Sequence, residues 1–290
     1  MYLLFYGLLY PLSLLPMQIL YALAYPIYIT LTYIIKYRKR ITIENLTLSF
    51  PDKTHAEILT LYKLYNRHLS HIIVEMLKML TISKRKLNKR YSCKNPEIVN
   101  RYFEQKKSVI LLSAHYNNWE WMILQLDSMF KHHGVGVGKA NSNKKFEFLI
   151  NKARTRYGTE VVFADHVREL FEKNNAEQTP AAYMMLSDQS PNNLKKSYIT
   201  YFLNQESCII FGGEYFAKKY DLPVLYYQVV QDKPGYYHIE LELITENPNN
   251  TQHGEITEKY AQLLEKTIRQ KPEFWLWSHR RWKNRNQKLQ

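Results

Sequence analysis

SVILLSAHYNNWEW, Ser108 to Trp121, is the stretch on which the fold turns. Ser108 to Ala114 is apolar over nearly its whole length, the pattern of a strand buried in a sheet, and Trp119 to Phe130 reads as the helix that follows it. The same alternation continues outward. Gly134 to Gly138 reads as a short strand and Phe146 to Tyr157 as a helix. Further strands are expected at Glu160 to Ala164, Ala181 to Leu186, Leu222 to Gln231 and Tyr236 to Ile244, with a closing helix from Glu255 to Arg269. Strands alternating with helices predict an α/β fold, a central mostly parallel sheet flanked by helices. The turn DKPG, Asp232 to Gly235, predicts that the last two strands are antiparallel.

Upstream the character changes. From Tyr2 to Ile35 there is no charged residue, and KYRKR, Lys36 to Arg40, follows at once. A run of this length suits a membrane-anchoring helical segment, and the basic cluster after it predicts that the remaining chain is cytoplasmic. No basic residues precede the run and no small-residue cleavage pattern follows it, which argues against a removable signal peptide. Pro11, Pro16 and Pro26 predict a broken or re-entrant path rather than one straight helix. The plainer alternative is a buried helix pair of a soluble protein. Ile41 to Leu80 reads as helical, with Asp52 and Thr54 as candidate N-caps. SKRKLNKR, Ser83 to Arg90, reads as a solvated turn or a headgroup contact. Three parts are therefore expected: a hydrophobic anchor over 1–40, a helical linker region over 41–90 and the main α/β domain over 91–290.

Forty Lys and Arg against twenty-six Asp and Glu give a net charge of +14, which calls for an anionic partner: nucleic acid, an acidic protein or an anionic membrane surface. Cys93 and Cys208 stand far apart in sequence and His132 and His133 have no acidic or Cys neighbour at ligand spacing, so no metal site is expected. GVGVGK lacks the Ser or Thr of a phosphate-binding loop.

A histidine just past a strand's carboxyl end sits where α/β sheets gather ligands. His115 and Glu120 are five residues apart, about 140° around a regular helix, so they meet only if His115 lies in the turn and Glu120 in the first helical turn. Glu120 would then fix the ring tautomer and leave the other nitrogen as a base for a substrate hydroxyl. The plainer alternative is a buried histidine beside a helix-capping residue. Asp188 and Gln189 end a predicted strand and either line the same cleft or form an Asx turn before Pro191.

AHYNNWE resembles the H-x-x-x-x-[DE] signature of the lysophospholipid acyltransferase superfamily, in the form used by bacterial lipid A late acyltransferases. Three more blocks resemble that family in order: NSNKKFEFLINKARTRYG with Asn143 and Arg154, MLSDQS followed by FGG, and PEFWLWSHRRWKNR. Asn117 stands where the family usually has Gly, and Asn286 where it often has Pro. The resemblance implies a glycerol-phosphate-acyltransferase-like fold, with an α/β acyltransferase domain over 91–290. It also implies transfer of a fatty acyl chain from an acyl carrier protein or coenzyme A thioester to a hydroxyl of a lipid A precursor, at the bacterial inner membrane and without a cofactor. His115 and Glu120 would be the acid-base pair. Arg154, Asn118, Asp188 and Gln189 would bind substrate or assist the oxyanion, and Arg280 and Arg281 would belong to a structural or headgroup-binding basic block whose three Trp suit an interface. Another glycolipid or aminoacyl lipid as acceptor is an alternative. So is a thioesterase or lipase, although no GxSxG is present. A basic nucleic-acid-binding protein is the rival of a different class, for which the charge-free N-terminal run has no purpose.

Overall fold

The computed structural model describes residues 5–140, 143–191 and 193–283. The chain opens with two apolar helices, α1 (Phe5–Leu14) and α2 (Met17–Ile34). The break between them falls at Leu15 and Pro16, both extended (ψ 148° and 149°), while Pro26 is accommodated inside α2. α3 (Lys39–Ser49) and α4 (His55–Met79) follow. Of the two candidate caps, Thr54 caps α4: its hydroxyl accepts from Glu57 N, and the Glu57 carboxylate returns to Thr54 N at 2.8 Å. Near the other end of α4, Lys78 Nζ donates to the carbonyls of Ser13 and Leu15 at 2.9 Å each, satisfying the orphaned end of α1.

Then come α5 (Lys84–Asn88), β1 (Tyr91–Cys93), α6 (Glu97–Glu104), β2 (Val109–Ser113), α7 (Trp119–Met129), β3 (His133–Gly138) and α8 (Lys144–Arg154). They are followed by β4 (Glu160–Phe163), α9 (Val167–Ala176), β5 (Ala181–Leu186), β6 (Ser197–Phe202), β7 (Gln205–Ile210), α10 (Gly212–Tyr220), β8 (Val224–Lys233), β9 (Tyr236–Thr245) and α11 (Glu255–Gln270). Seven strands form one sheet in the order β1-β9-β8-β2-β5-β3-β4, and β6–β7 stand apart as a hairpin. Every pairing in the large sheet is parallel except β8–β9, the antiparallel pair expected around DKPG. β2 is buried at all five positions, which explains its unbroken apolar run in mid-sheet.

Two apolar cores cover the two faces of the sheet. One gathers side chains of α3, α9, α10 and α11, with Trp275, Trp277 and Trp282. The other holds Trp121 and Leu124 of α7, Val74 and Met79 of α4, and Met17, Leu20 and Ala24 of α2. α2 thus buries one stripe against the protein, whereas Tyr25 and Ile34 on its other side, and Ile35 just after it, are 67%, 69% and 58% exposed. By length and composition α2 is able to cross a membrane.

The β6–β7 hairpin turns through Leu203 and Asn204, both at positive φ (52° and 61°), a conformation usually signalled by Asn-Gly or Asp-Gly. The β8–β9 turn does use glycine: Gly235 has φ 73°, and a Cβ there would lie 2.5 Å from the Tyr21 hydroxyl. Gly235→Ala is expected to destabilise the protein by about 1–2 kcal/mol from the left-handed backbone alone, with more from displacing Tyr21, read as a lowered Tm in thermal unfolding.

Candidate active site

The sheet register builds the site. Ser113, the last residue of β2, pairs with Leu186, the last of β5, and Ser187 N donates to Ser113 O at 3.1 Å. Two residues beyond each strand end stand His115 and Asp188, and the parallel register brings them together at the carboxyl edge of the sheet. His115 Nδ1 lies 2.8 Å from Asp188 Oδ1. Asp188 is buried, and its second oxygen accepts from Trp275 Nε1 at 2.9 Å. Burial alone would raise the Asp188 carboxyl, but His115 and the hydrogen bonds from His115 and Trp275 outweigh it and hold the group below its ordinary value. An ionised Asp188 can only accept, so Nδ1 carries a proton, and in the neutral ring Nε2 keeps its lone pair. The side chain of His115 keeps 20% of its surface exposed, and Gln189 Nε2 lies 3.2 Å from its Nε2.

The turn that presents His115 is fixed from several directions. Tyr116 bridges Trp275, Asn117 N donates to Phe274 O at 3.0 Å, and Leu276 N donates to His115 O at 3.2 Å. Asn117 has φ 53°, a conformation that glycine or asparagine adopts at least cost, and its Nδ2 donates to Val229 O at 2.7 Å. Asn117 therefore both adopts the left-handed turn and ties it to β8. Asn118 caps α7, its Oδ1 accepting from Trp121 N at 2.9 Å.

The expected contact between Glu120 and His115 is not made. His115 does lie in the turn and Glu120 in the first turn of α7, but the Glu120 carboxylate is taken by Arg154 through a two-point fork: Nε to Oε2 at 2.8 Å and Nη2 to Oε1 at 2.5 Å. Glu120 is nearly fully buried, where a cation offering two parallel donors outcompetes a neutral imidazole. Burial would lower the Arg154 guanidinium, but the Glu120 charge and hydrogen bonds raise it on balance. Arg154 Nη1 donates to Asn151 Oδ1 at 3.3 Å. Asn143, eleven residues earlier, is the N-cap of α8, and Arg154 is the last residue of that helix.

A family profile described as bacterial lipid A biosynthesis acyltransferase matches residues 1–284, nearly the whole of this fold together with the His115 turn and the closing block. The chain belongs to that family. It is also 21% identical over 253 residues, 86% of this chain and 78% of the relative, to a lipid A biosynthesis acyltransferase of Haemophilus influenzae. As a family member it is an acyltransferase.

In this lipid A acyltransferase family member much of the closing block, expected to be structural or headgroup-binding, is packed into the protein. Trp275 and Trp277 are fully buried and Trp282 nearly so. Arg281 is buried too, its guanidinium 5.8 Å from the Phe202 ring and 6.0 Å from the Trp282 ring, and burial pushes its pKa down to about 10. Arg280 alone of the arginine pair faces solvent. Of the three Trp residues Trp275 reaches the site through its bond to Asp188, whereas Trp277 Nε1 donates to Pro272 O at 2.6 Å and Trp282 Nε1 to Ser207 Oγ at 2.7 Å. Asn284 and Arg285 of this block, Asn286 after it, and Asn141 and Ser142 of the second block lie outside the described residues. Among the described residues no three His, Cys, Asp or Glu side chains gather to hold a metal ion. Trp275 is the site residue that sequence reasoning missed, and its spacing from the HRR block carried no hint of a bond to Asp188.

Proposed function

We propose that the chain moves a fatty acyl group from an acyl carrier protein or coenzyme A thioester to a hydroxyl of a lipid A precursor, with His115 as general base oriented by Asp188. The single observation that carries this reading is the His115–Asp188 pair at the sheet edge, with Nε2 directed away from the carboxylate. In the reaction Nε2 takes the acceptor hydroxyl proton as the oxygen attacks the thioester carbonyl carbon. The C–S bond then breaks, the thiolate leaves, and the imidazolium returns the proton to it. The bond to Asp188 stabilises the imidazolium in between. Free backbone N–H groups at the start of α7 are the donors for the tetrahedral oxyanion, at a helix N-terminus that favours negative charge. The acceptor hydroxyl takes the place that Gln189 holds beside Nε2.

Glu120 and Arg154 act in this scheme as the clamp that ties the first turn of α7 to the end of α8. Membrane association at the cytoplasmic face of the inner membrane is supported by the exposed apolar side of α2, by the basic cluster after it and by the charge of +14, which also suits an acidic carrier protein. Full-length protein in detergent, given acyl carrier protein and coenzyme A thioesters with a panel of lipid A precursors, is expected to yield a precursor heavier by one acyl chain by mass spectrometry. Free fatty acid as the sole product would replace this reading with hydrolysis.

A further inference from the structure

Glu75 is wholly buried in α4, with no Lys or Arg bonded to its side chain among the described residues, yet it is fully engaged. Oε1 accepts from the Tyr21 hydroxyl at 2.5 Å, and Oε2 accepts from Asn118 Nδ2 and the Tyr237 hydroxyl at 2.7 Å each. Its backbone carbonyl takes a fourth bond, from Trp121 Nε1 at 3.0 Å. Tyr237 is itself held by Gln231 Nε2 at 2.9 Å. Burial raises the Glu75 carboxyl, and the bonds from Tyr21, Tyr237 and Asn118 act against that. A carboxylate so placed carries a desolvation cost, and an apolar side chain of like volume would fill the space at less cost. What an apolar side chain could not do is hold polar groups from three separate segments at once.

Those segments are informative. Tyr21 belongs to α2, the apolar helix whose outer side is exposed. Tyr237 belongs to β9. Asn118 is three residues from His115 and caps the helix that starts at the site, so its side chain is shared between two tasks: Oδ1 holds the first turn of α7 while Nδ2 reports to Glu75. Glu75 is the only group bonded to both Tyr21 and Asn118 among the described residues.

We propose that Glu75 is a positioning residue that couples the seating of the N-terminal apolar helix to the turn presenting His115, through the relay Tyr21–Glu75–Asn118. The inference rests on the acyl-transfer reading above for its consequence in catalysis. When α2 is seated, Tyr21 fixes one oxygen of Glu75, the other oxygen is aimed at Asn118, and the turn 114–118 holds Nε2 toward the acceptor. Loss of the Tyr21 hydroxyl frees the carboxylate to rotate and loosens the cap.

The test uses the full chain in detergent as wild type, Tyr21→Phe, Glu75→Gln, the double variant and, as control, Tyr91→Phe, whose buried hydroxyl makes no hydrogen bond. Hydrogen–deuterium exchange and steady-state kinetics are measured on the same preparations. Tyr21→Phe is expected to raise exchange over residues 114–121 selectively and to lower kcat by about tenfold with the KM for thioester within about twofold, since small misplacements near a reacting centre act on turnover. Glu75→Gln should lower kcat further, the double variant should be no worse than Glu75→Gln, and Tyr91→Phe should match wild type. If Glu75→Gln does not fold, Tyr21→Phe decides the matter. Wild-type exchange at 114–121 in Tyr21→Phe, exchange raised evenly over the whole chain, or unchanged kcat would each overturn the proposal. Should wild type transfer no acyl chain to any acceptor, the acyl-transfer reading fails while the exchange comparison still decides the coupling.

Discussion

Asp188→Asn is expected to lower kcat by about 10³- to 10⁴-fold while the protein stays folded, an effect of the size seen when a general base loses its orienting carboxylate. Asparagine fills the same volume and keeps an oxygen for Trp275 Nε1, so the strand end and the closing block have no reason to move. What changes is the atom facing His115. An amide can donate to Nδ1, which puts the ring proton on Nε2 and removes the lone pair that takes the substrate proton. It also supplies no charge for the imidazolium. The KM for thioester should change little, because the lost interaction develops only as the proton moves. His115→Ala should cost at least as much. Stability carries a separate signature. The folded Asp188 carboxyl lies below its ordinary value of 3.8, so its contribution is fully present above that pH and is lost as the pH falls through the folded value. The wild type's stability advantage over Asp188→Asn should therefore be present at neutral pH and vanish in strong acid, measured as Tm against pH for both proteins.

Arg154→Ala is expected to cost about 3–5 kcal/mol of stability, because it leaves the Glu120 carboxylate buried without its partner. The side chains are 25% and 4% exposed, so water replaces the guanidinium poorly. Replacing both members, as Glu120→Gln with Arg154→Met, should recover a large part of that loss, since the stranded charge is gone. The pair also ties the first turn of α7 to the end of α8, so each single variant should lose turnover, but less than Asp188→Asn once activity is counted per folded molecule. Thermal unfolding of the two single variants and the double gives the coupling directly. If Arg154→Ala were as stable as wild type, the fork would be a surface pairing of no consequence.

The difference between these two predictions is also the difference between what was legible in the sequence and what was not. The strand ending before His115, the helix after it, the β8–β9 turn and the apolar start of the chain were all local patterns, and local patterns survive in the fold. Short or weakly signalled elements were missed: the three-residue β1, helices α6, α9 and α10, and a hairpin whose turn is Leu-Asn rather than Asn-Gly. At the site, His115 could be singled out because it follows a buried strand. Asp188 was a candidate for the same cleft, but its bond to His115 was not legible, since it depends on β2 lying next to β5 in a register that pairs Ser113 with Leu186, a contact across 73 residues. Glu120 was the nearer carboxylate in sequence and therefore the natural expectation, but the end of α8 delivers Arg154 to it. Burial of Trp275, Trp277 and Arg281 escaped for a related reason: aromatic and basic residues mixed in one short block have the same composition at a membrane surface as in the wall of a site.

In the proposed mechanism Asp188, and not Glu120, holds the His115 ring with its proton on Nδ1. The most direct measurement is nuclear magnetic resonance of the protein with isotopically labelled histidine nitrogens, the His115 signals assigned by His115→Gln and compared among wild type, Asp188→Asn and Glu120→Gln. Wild type is expected to show a protonated Nδ1 and a bare Nε2, Glu120→Gln the same pattern, and Asp188→Asn loss of that tautomer. A His115 ring that changes tautomer in Glu120→Gln and is indifferent to Asp188→Asn would contradict that mechanism.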